Sequence, residues 1–356
     1  MSIFERLKRA DPTQEPYRYP LQRTQERTFD RDLTGPLYIW DIDETYLSTD
    51  IDTVRGMLAV PLDLPIDKRN VAGTDVLLRA LRRGPTVDGP IHSNPLYFVS
   101  ASPPQLRRVI EKKMLLDGVE YDGITFKDQL ALLRNGRVAT LKHHIAYKLS
   151  ALLLNRAELP WGVRESAFGD DTETDALIYA LYADIVSGRL RGPALANTLR
   201  LNGCEVDDCS YVARLAGHLR TQELVEAIYI RLKKRTPPSR FHVFGPTVIP
   251  CYDILQMGLN LVERGHIADH QLLELATELV ASGSRDAVGI ARSCYDLCER
   301  HHVGAETLAR LWPALKRASL VPKVSAIAPV DTPARPAKRD APDFITPARH
   351  LDLTPR

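Results

Sequence analysis

Residues 37–50, LYIWDIDETYLSTD, run from four apolar or aromatic positions straight into two aspartates two places apart, Asp41 and Asp43. A short apolar run bounded by polar turn residues reads as a strand buried on both faces. An Asp closing such a strand is by itself an ordinary cap or turn residue. The meaning of this stretch therefore depends on what else the chain brings to the same place.

Working outward, similar runs recur: PLYFVSAS (95–102), DGITF (122–126) and RESAFGDD (164–171) read as strands. Between them GTDVLLRALRRG (73–84), PPQLRRVIEKKML (103–115) and HHIAYKLSALLLNRA (143–157) carry apolar residues at helical spacing, the second with Pro in its first turn. Strands alternating with helices predict parallel pairing, and hence a doubly wound α/β sheet over residues 35–187. In such sheets ligands sit beyond the carboxyl ends of the strands. Here DIDET, SASP and GDDTETD each follow a strand, so three polar clusters converge on one edge.

The last cluster sets Asp170, Asp171 and Asp175 around the turn into a helix. Together with Asp41 and Asp43 they would repel one another strongly without a cation among them. A hard divalent ion with oxygen ligands, Mg²⁺, is the natural compensation. Ser100 offers a hydroxyl at the end of the second strand, and Lys148 offers a positive charge in the helix before GDDTETD. Lys127 and Lys142 are alternative cations, but Lys148 alone begins the helix directly preceding the SAFGDD strand. A carboxylate nucleophile, Mg²⁺, Ser and Lys around the oxygens, and a second carboxylate to move the proton describe phosphoryl transfer.

The order D-x-D-x-T, apolar run plus Ser, Lys, and G-D-(x4)-D resembles the haloacid dehalogenase (HAD) superfamily. The resemblance implies a HAD-like Rossmannoid core with Asp41 as the nucleophile forming an aspartyl-phosphate. It implies Asp43 as general acid and then base, Thr45 as a stabiliser of the loop, Ser100 on a phosphoryl oxygen and Lys148 between phosphate and nucleophile. Asp41, the backbone carbonyl of Asp43 and Asp170 would hold Mg²⁺, with Asp171 or Asp175 as a further acid. Within that superfamily, WDIDETYLSTD, YFVSASPPQL, YKLSALL and FGDDTETDALIY are similar to the actin-patch type of phosphatidate phosphatase domain related to the lipins. Ser100, Ser102, Pro103 and Tyr179 match its pattern, while Glu44 and Ala101 depart from it. The implied substrate is phosphatidate or another lipid phosphate. The alternatives are a phosphorylated soluble small molecule or phosphoprotein, or a non-catalytic scaffold.

The rest of the chain carries fewer signals. Residues 1–34 read as a Pro-punctuated N-terminal arm, and the first twenty lack the apolar core of a secretory signal. From 188 to 318, segments including ALANTLRLNG, QELVEAIYIRLKKR and YDILQMGLNLVERG show helical spacing, which predicts an all-α C-terminal domain. FGPTVIPCYDILQMGL reads as an apolar turn into a helix, and the Pro- and Ala-rich tail, 319–356, reads as disordered.

The formal net charge of +2 gives no reason to expect nucleic acid as a partner. No apolar run approaches the roughly 20 residues that span a bilayer, which leaves peripheral membrane contact open; the oligomeric state is not encoded in any recognised pattern. Five cysteines, Cys204, Cys209, Cys251, Cys294 and Cys298, fit free thiols in a reducing cytoplasm. The spacing of Cys294 and Cys298 is that of a helix's buried face. His143 and His144 would point about 100° apart on a helix, which predicts at least one facing solvent. The basic run 231–240, RLKKRTPPSR, reads first as favourable charge closing a helix, with contact to a phosphate-bearing substrate or to membrane headgroups as the alternative.

Overall fold

The computed structural model describes residues 17–48, 69–86, 93–137 and 143–323. Seven strands form one sheet: β1 (Leu21–Gln25), β2 (Thr34–Asp41), β5 (Leu96–Ser100), β6 (Gly123–Lys127), β7 (Gly162–Asp170), β8 (Val225–Arg231) and β9 (Val248–Cys251). Their spatial order is β1-β6-β5-β2-β7-β8-β9, and every pairing is parallel except the antiparallel edge pair β1–β6. A two-stranded ribbon, β3 (Leu47–Ser48) with β4 (Arg69–Asn70), stands apart from it.

Strand β2 lies at the centre because its apolar run has partners on both faces. Leu37 and Ile39 belong to one core, and Tyr38 and Trp40 to the other, as the period of two requires. The first core is completed by α4 (Ile145–Glu158), α5 (Asp175–Ser187), α6 (Gly192–Leu201) and α7 (Val206–His218). The second takes α1 (Thr74–Arg83), α2 (Arg107–Leu116), α8 (Ile254–Glu263), α9 (Asp269–Ala281), α10 (Ala287–Glu299) and α11 (Ala305–Arg317). A further short helix, α3 (Gln129–Arg134), follows β6. Across β2, β7 and β8 the rings of Trp40, Phe168 and Tyr229 stack in register, with centroids 4.2 and 4.7 Å apart. This aromatic ladder ties the first half of the chain to β8.

That tie corrects the expectation of an all-α segment from 188 to 318. QELVEAIYIRLKKR contains strand β8, not a helix, and the apolar turn at 248–251 is the edge strand β9. Ala227, Ile228, Tyr229 and Ile230 are a continuous apolar run buried on both faces. Over so few residues such a run satisfies helical spacing as well as strand spacing, and packing against β7 decides between them. Pro250 is accommodated because β9 is an edge strand. The C-terminal helices α8–α11 then cover one face of the same sheet, where the side chains of Leu272 and Leu275 crowd against Gly258; a Cβ there would lie 2.8 Å from Leu275 Cδ2.

The N-terminal arm is also more ordered than a loose lead-in over its described part. β1 caps β6, and Arg23 joins it to α4 through Asn155 at 2.6 Å and Glu158 at 2.5 Å. Residues 1–16 and 324–356 lie outside the described residues, whereas Leu320 and Val321 of the expected tail are buried in the second core. All five cysteines are free thiols and buried, with Cys294 and Cys298 in the second core.

Candidate active site

The carboxyl ends of β2, β5 and β7 bring the three polar clusters together. Asp41 ends β2 and Asp170 ends β7, strands paired in register, while Asp175 opens α5 immediately beyond the turn. All three are buried, and one carboxylate oxygen from each falls within 4.8 Å of the others. The approach of Asp175 to the strand requires Gly169, where a Cβ would come within 2.7 Å of Asp175 Cβ.

Lys148, in the first turn of α4, is the counter-charge. Its Nζ donates to Asp41 Oδ1 at 2.7 Å and to Asp175 Oδ1 at 2.5 Å, and lies 3.1 Å from Glu173 Oε2. Burial pulls this ammonium down, but Asp175, Asp41 and Glu173 together more than offset it and hold Lys148 well above the ordinary lysine range. Of the alternative lysines, Lys127 donates to the carbonyl of His143 at 2.8 Å, and Lys142 lies outside the described residues.

The acids outnumber this one cation. Burial raises Asp41 well above the usual carboxylate range against the pull of Lys148, and Asp175 and Glu173 add to the rise. Burial, then Asp175, pushes Asp170 up to about 7. Burial likewise raises Asp175, although Lys148 opposes it. Asp41 Oδ2 is buried and has no hydrogen-bond partner among the described residues. An excess of buried carboxylates, with oxygens from three of them converging, fits a hard divalent cation such as Mg²⁺ at Asp41, Asp170 and Asp175.

Asp43 stands beside this cluster with its carboxylate turned to β5. Ser100 Oγ donates to it at 2.9 Å, and Ser102 Oγ at 2.9 and 3.0 Å to its two oxygens, while the backbone N–H of Ser102 donates to Ser100 Oγ at 3.0 Å. The loop between Asp41 and β3 is tightly wound: Tyr46 and Leu47 both donate their N–H to the Ile42 carbonyl, and Glu44 adopts a φ of 62°. Thr45, wholly buried, reaches Asp170 Oδ2 at 3.4 Å, bracing β2's loop against β7's end.

Asp171 does not join the acids. Its two oxygens accept the backbone N–H groups of Lys234 at 2.8 Å and Thr236 at 3.1 Å, so the expected choice between Asp171 and Asp175 falls to Asp175 in geometry. Glu173 was not singled out by sequence; its neighbours in GDDTETD are equally polar, and only the turn aims it at Lys148. Burial pushes Glu173 up, yet Lys148 and then His144 bring it down to about 2. His143 and His144 also differ from expectation: both are half-buried, and burial lowers His144 to about 4. Tyr147 is a further addition, its hydroxyl lying 2.6 Å from the Ser100 carbonyl and 2.9 Å from that of Thr125, where it holds the ends of β5 and β6 under the site. Tyr179 reaches the Phe168 carbonyl at 3.3 Å and supports β7 from α5.

Among the described residues no helix is long and apolar enough to cross a membrane. No family model, curated protein or solved structure matches this chain.

Proposed function

We propose that this protein is a HAD-type, Mg²⁺-dependent phosphomonoester hydrolase working through an aspartyl-phosphate. The observation that carries the reading is Asp41 Oδ2: a buried carboxylate oxygen without a hydrogen-bond partner among the described residues, at the end of the central strand, whose twin oxygen is held by Lys148. An oxygen so placed is free to act as a nucleophile while the ammonium fixes its carboxylate plane.

In the first step Asp41 Oδ2 forms a bond to phosphorus, the ester P–O bond breaks, and Asp43 in its acid form gives its proton to the departing alkoxide. In the second, Asp43 as carboxylate takes a proton from water as that water attacks phosphorus. The Asp41–phosphorus bond breaks, inorganic phosphate leaves, and both aspartates return to their starting states. Ser100 and Ser102 orient Asp43 throughout, and Lys148 neutralises charge on the phosphoryl oxygens and Asp41. Mg²⁺, held by Asp41, Asp170 and Asp175, would supply further charge neutralisation at those oxygens.

The test is phosphate release from an aryl phosphate and from phosphatidate in mixed micelles, with Mg²⁺. Asp41→Asn lowers kcat by roughly 10⁴-fold or more and abolishes a phosphoryl adduct on that residue detectable by mass spectrometry. Undiminished turnover in Asp41→Asn overturns the mechanism.

A further inference from the structure

The basic run 231–240 was expected to close a helix, where its charges would complement a helix dipole. It instead follows a strand, and that strand is the neighbour of β7. Arg231 is the register partner of Asp170, so the cations after it stand on the same sheet edge as the acid cluster. Three follow it almost without interruption: Lys233, Lys234 and Arg235.

The turn is built around Asp171. Its carboxylate accepts the N–H groups of Lys234 and Thr236, and Arg235 between them takes a φ of 56°. The side chains on either side reach toward the catalytic loops. Arg231 Nη1 donates to the Glu44 carbonyl at 2.7 Å, Lys233 pairs with the Glu44 carboxylate, and Lys234 Nζ donates to the Thr172 carbonyl at 2.9 Å. Thr172 in turn gives its N–H to Asp170. Lys234 thus contacts a residue that itself hydrogen-bonds a proposed metal ligand. Local charge balance does not exhaust these cations: Lys233 meets Glu44, but the side chains of Lys234 and Arg235 are exposed and pair with no carboxylate among the described residues.

We propose that this loop binds a second anionic group of the substrate, so that the site takes small soluble phosphomonoesters bearing another phosphate or a carboxylate. The inference rests on the phosphohydrolase reading and sharpens it. Exposed cations on a turn whose backbone is anchored by a carboxylate suit a point charge on a mobile ligand better than an apolar chain, and they act as a rim that selects rather than as part of the reacting centre. Lys234 and Arg235 are specificity residues and touch no atom of the bond that breaks.

The experiment uses the full chain with Mg²⁺ and the variants Lys234→Met, Arg235→Gln and their double. Turnover is compared for a sugar bisphosphate, a phosphorylated carboxylic acid, an aryl phosphate and phosphatidate in vesicles. The expected result is that wild type prefers the two bis-anionic substrates, and that the double variant lowers their kcat/KM relative to the aryl phosphate by about 10-fold, the size of one charge-assisted hydrogen bond. An equal ratio in wild type and double variant overturns the proposal, as does a loss confined to phosphatidate vesicles, which would assign the loop to a lipid surface. Pyrophosphate and orthophosphate binding to Asp41→Asn, measured calorimetrically with and without the double substitution, separates this from failure of the hydrolase reading. Selective loss of pyrophosphate binding supports the loop even if no substrate turns over; equal binding of the two anions before and after substitution refutes it.

Discussion

Lys148 Nζ lies 2.7 Å from Asp41 Oδ1 across 107 positions of sequence, with both side chains essentially excluded from solvent. The same ammonium meets Asp175 and Glu173, so one cation serves three acids. Removing it leaves several buried negative charges facing one another. Lys148→Met therefore destabilises the metal-free protein by about 3–5 kcal/mol and eliminates turnover. Asp41→Asn acts in the opposite sense on stability: it removes a charge that burial disfavours, so its thermal midpoint without divalent cation is at least that of wild type. Calorimetric melting of both variants measures this, and a Lys148→Met midpoint equal to wild type contradicts the account.

Divalent binding is the second consequence. A cation that binds only the folded state stabilises it by about 2.7 kcal/mol at 100 times its dissociation constant. Mg²⁺ should raise the melting temperature of wild type by several degrees, and Asp170→Asn should lose most of that rise because Asp170 is one of three converging acids. Melting curves against Mg²⁺ concentration give the answer without any substrate. An unaltered Mg²⁺ response in Asp170→Asn excludes that residue as a ligand.

Lys127 is wholly buried at the end of β6, and burial lowers it to about 8 from an ordinary 10.5. The folded state then binds fewer protons than the unfolded one between those two values, so this group's contribution makes stability rise as pH climbs from about 8 toward 10.5. At neutral pH the charge is a cost, and Lys127→Met stabilises by about 1–3 kcal/mol after loss of its bond to the His143 carbonyl. Chemical denaturation from pH 7 to 10 should show the variant's advantage shrinking with pH. A constant advantage would mean that Lys127 is not the titrating group.

The shared sheet makes a prediction about truncation. A chain ending at residue 187 would remove β8 and β9, strip the register partner from β7 and uncover Phe168 of the aromatic ladder. An exposed apolar strand edge of this kind aggregates. The fragment should be insoluble or non-cooperative in unfolding, as judged by gel filtration and circular dichroism. A monomeric fragment with a sharp melting transition would establish residues 1–187 as an independent unit.

Several features were legible in the sequence because they depend on local pattern alone. The runs at 37–41, 96–100 and 162–170 are strands, and a polar residue ending each strand in a parallel sheet must arrive at the common carboxyl edge. Asp41, Asp43, Ser100 and Asp170 reach the site through that rule, and Lys148 reaches it from the first turn of α4. The helices that follow were legible from their apolar stripes.

Other features required the folded chain. AIYI satisfies either period and became a strand only through contact with β7, which carried the basic run from a supposed helix end to the rim of the acid cluster. GDDTETD offers Asp171, Glu173 and Asp175 as chemically similar acids; backbone donors at 234 and 236 take the first, and the turn into α5 delivers the other two to Lys148. Sequence alone determined that carboxylates, a hydroxyl and a lysine would meet at one sheet edge, because strand direction is set by short-range pattern. Which carboxylate faces the lysine was decided by tertiary structure, because that depends on which buried donors and charges the packed chain leaves for each to meet.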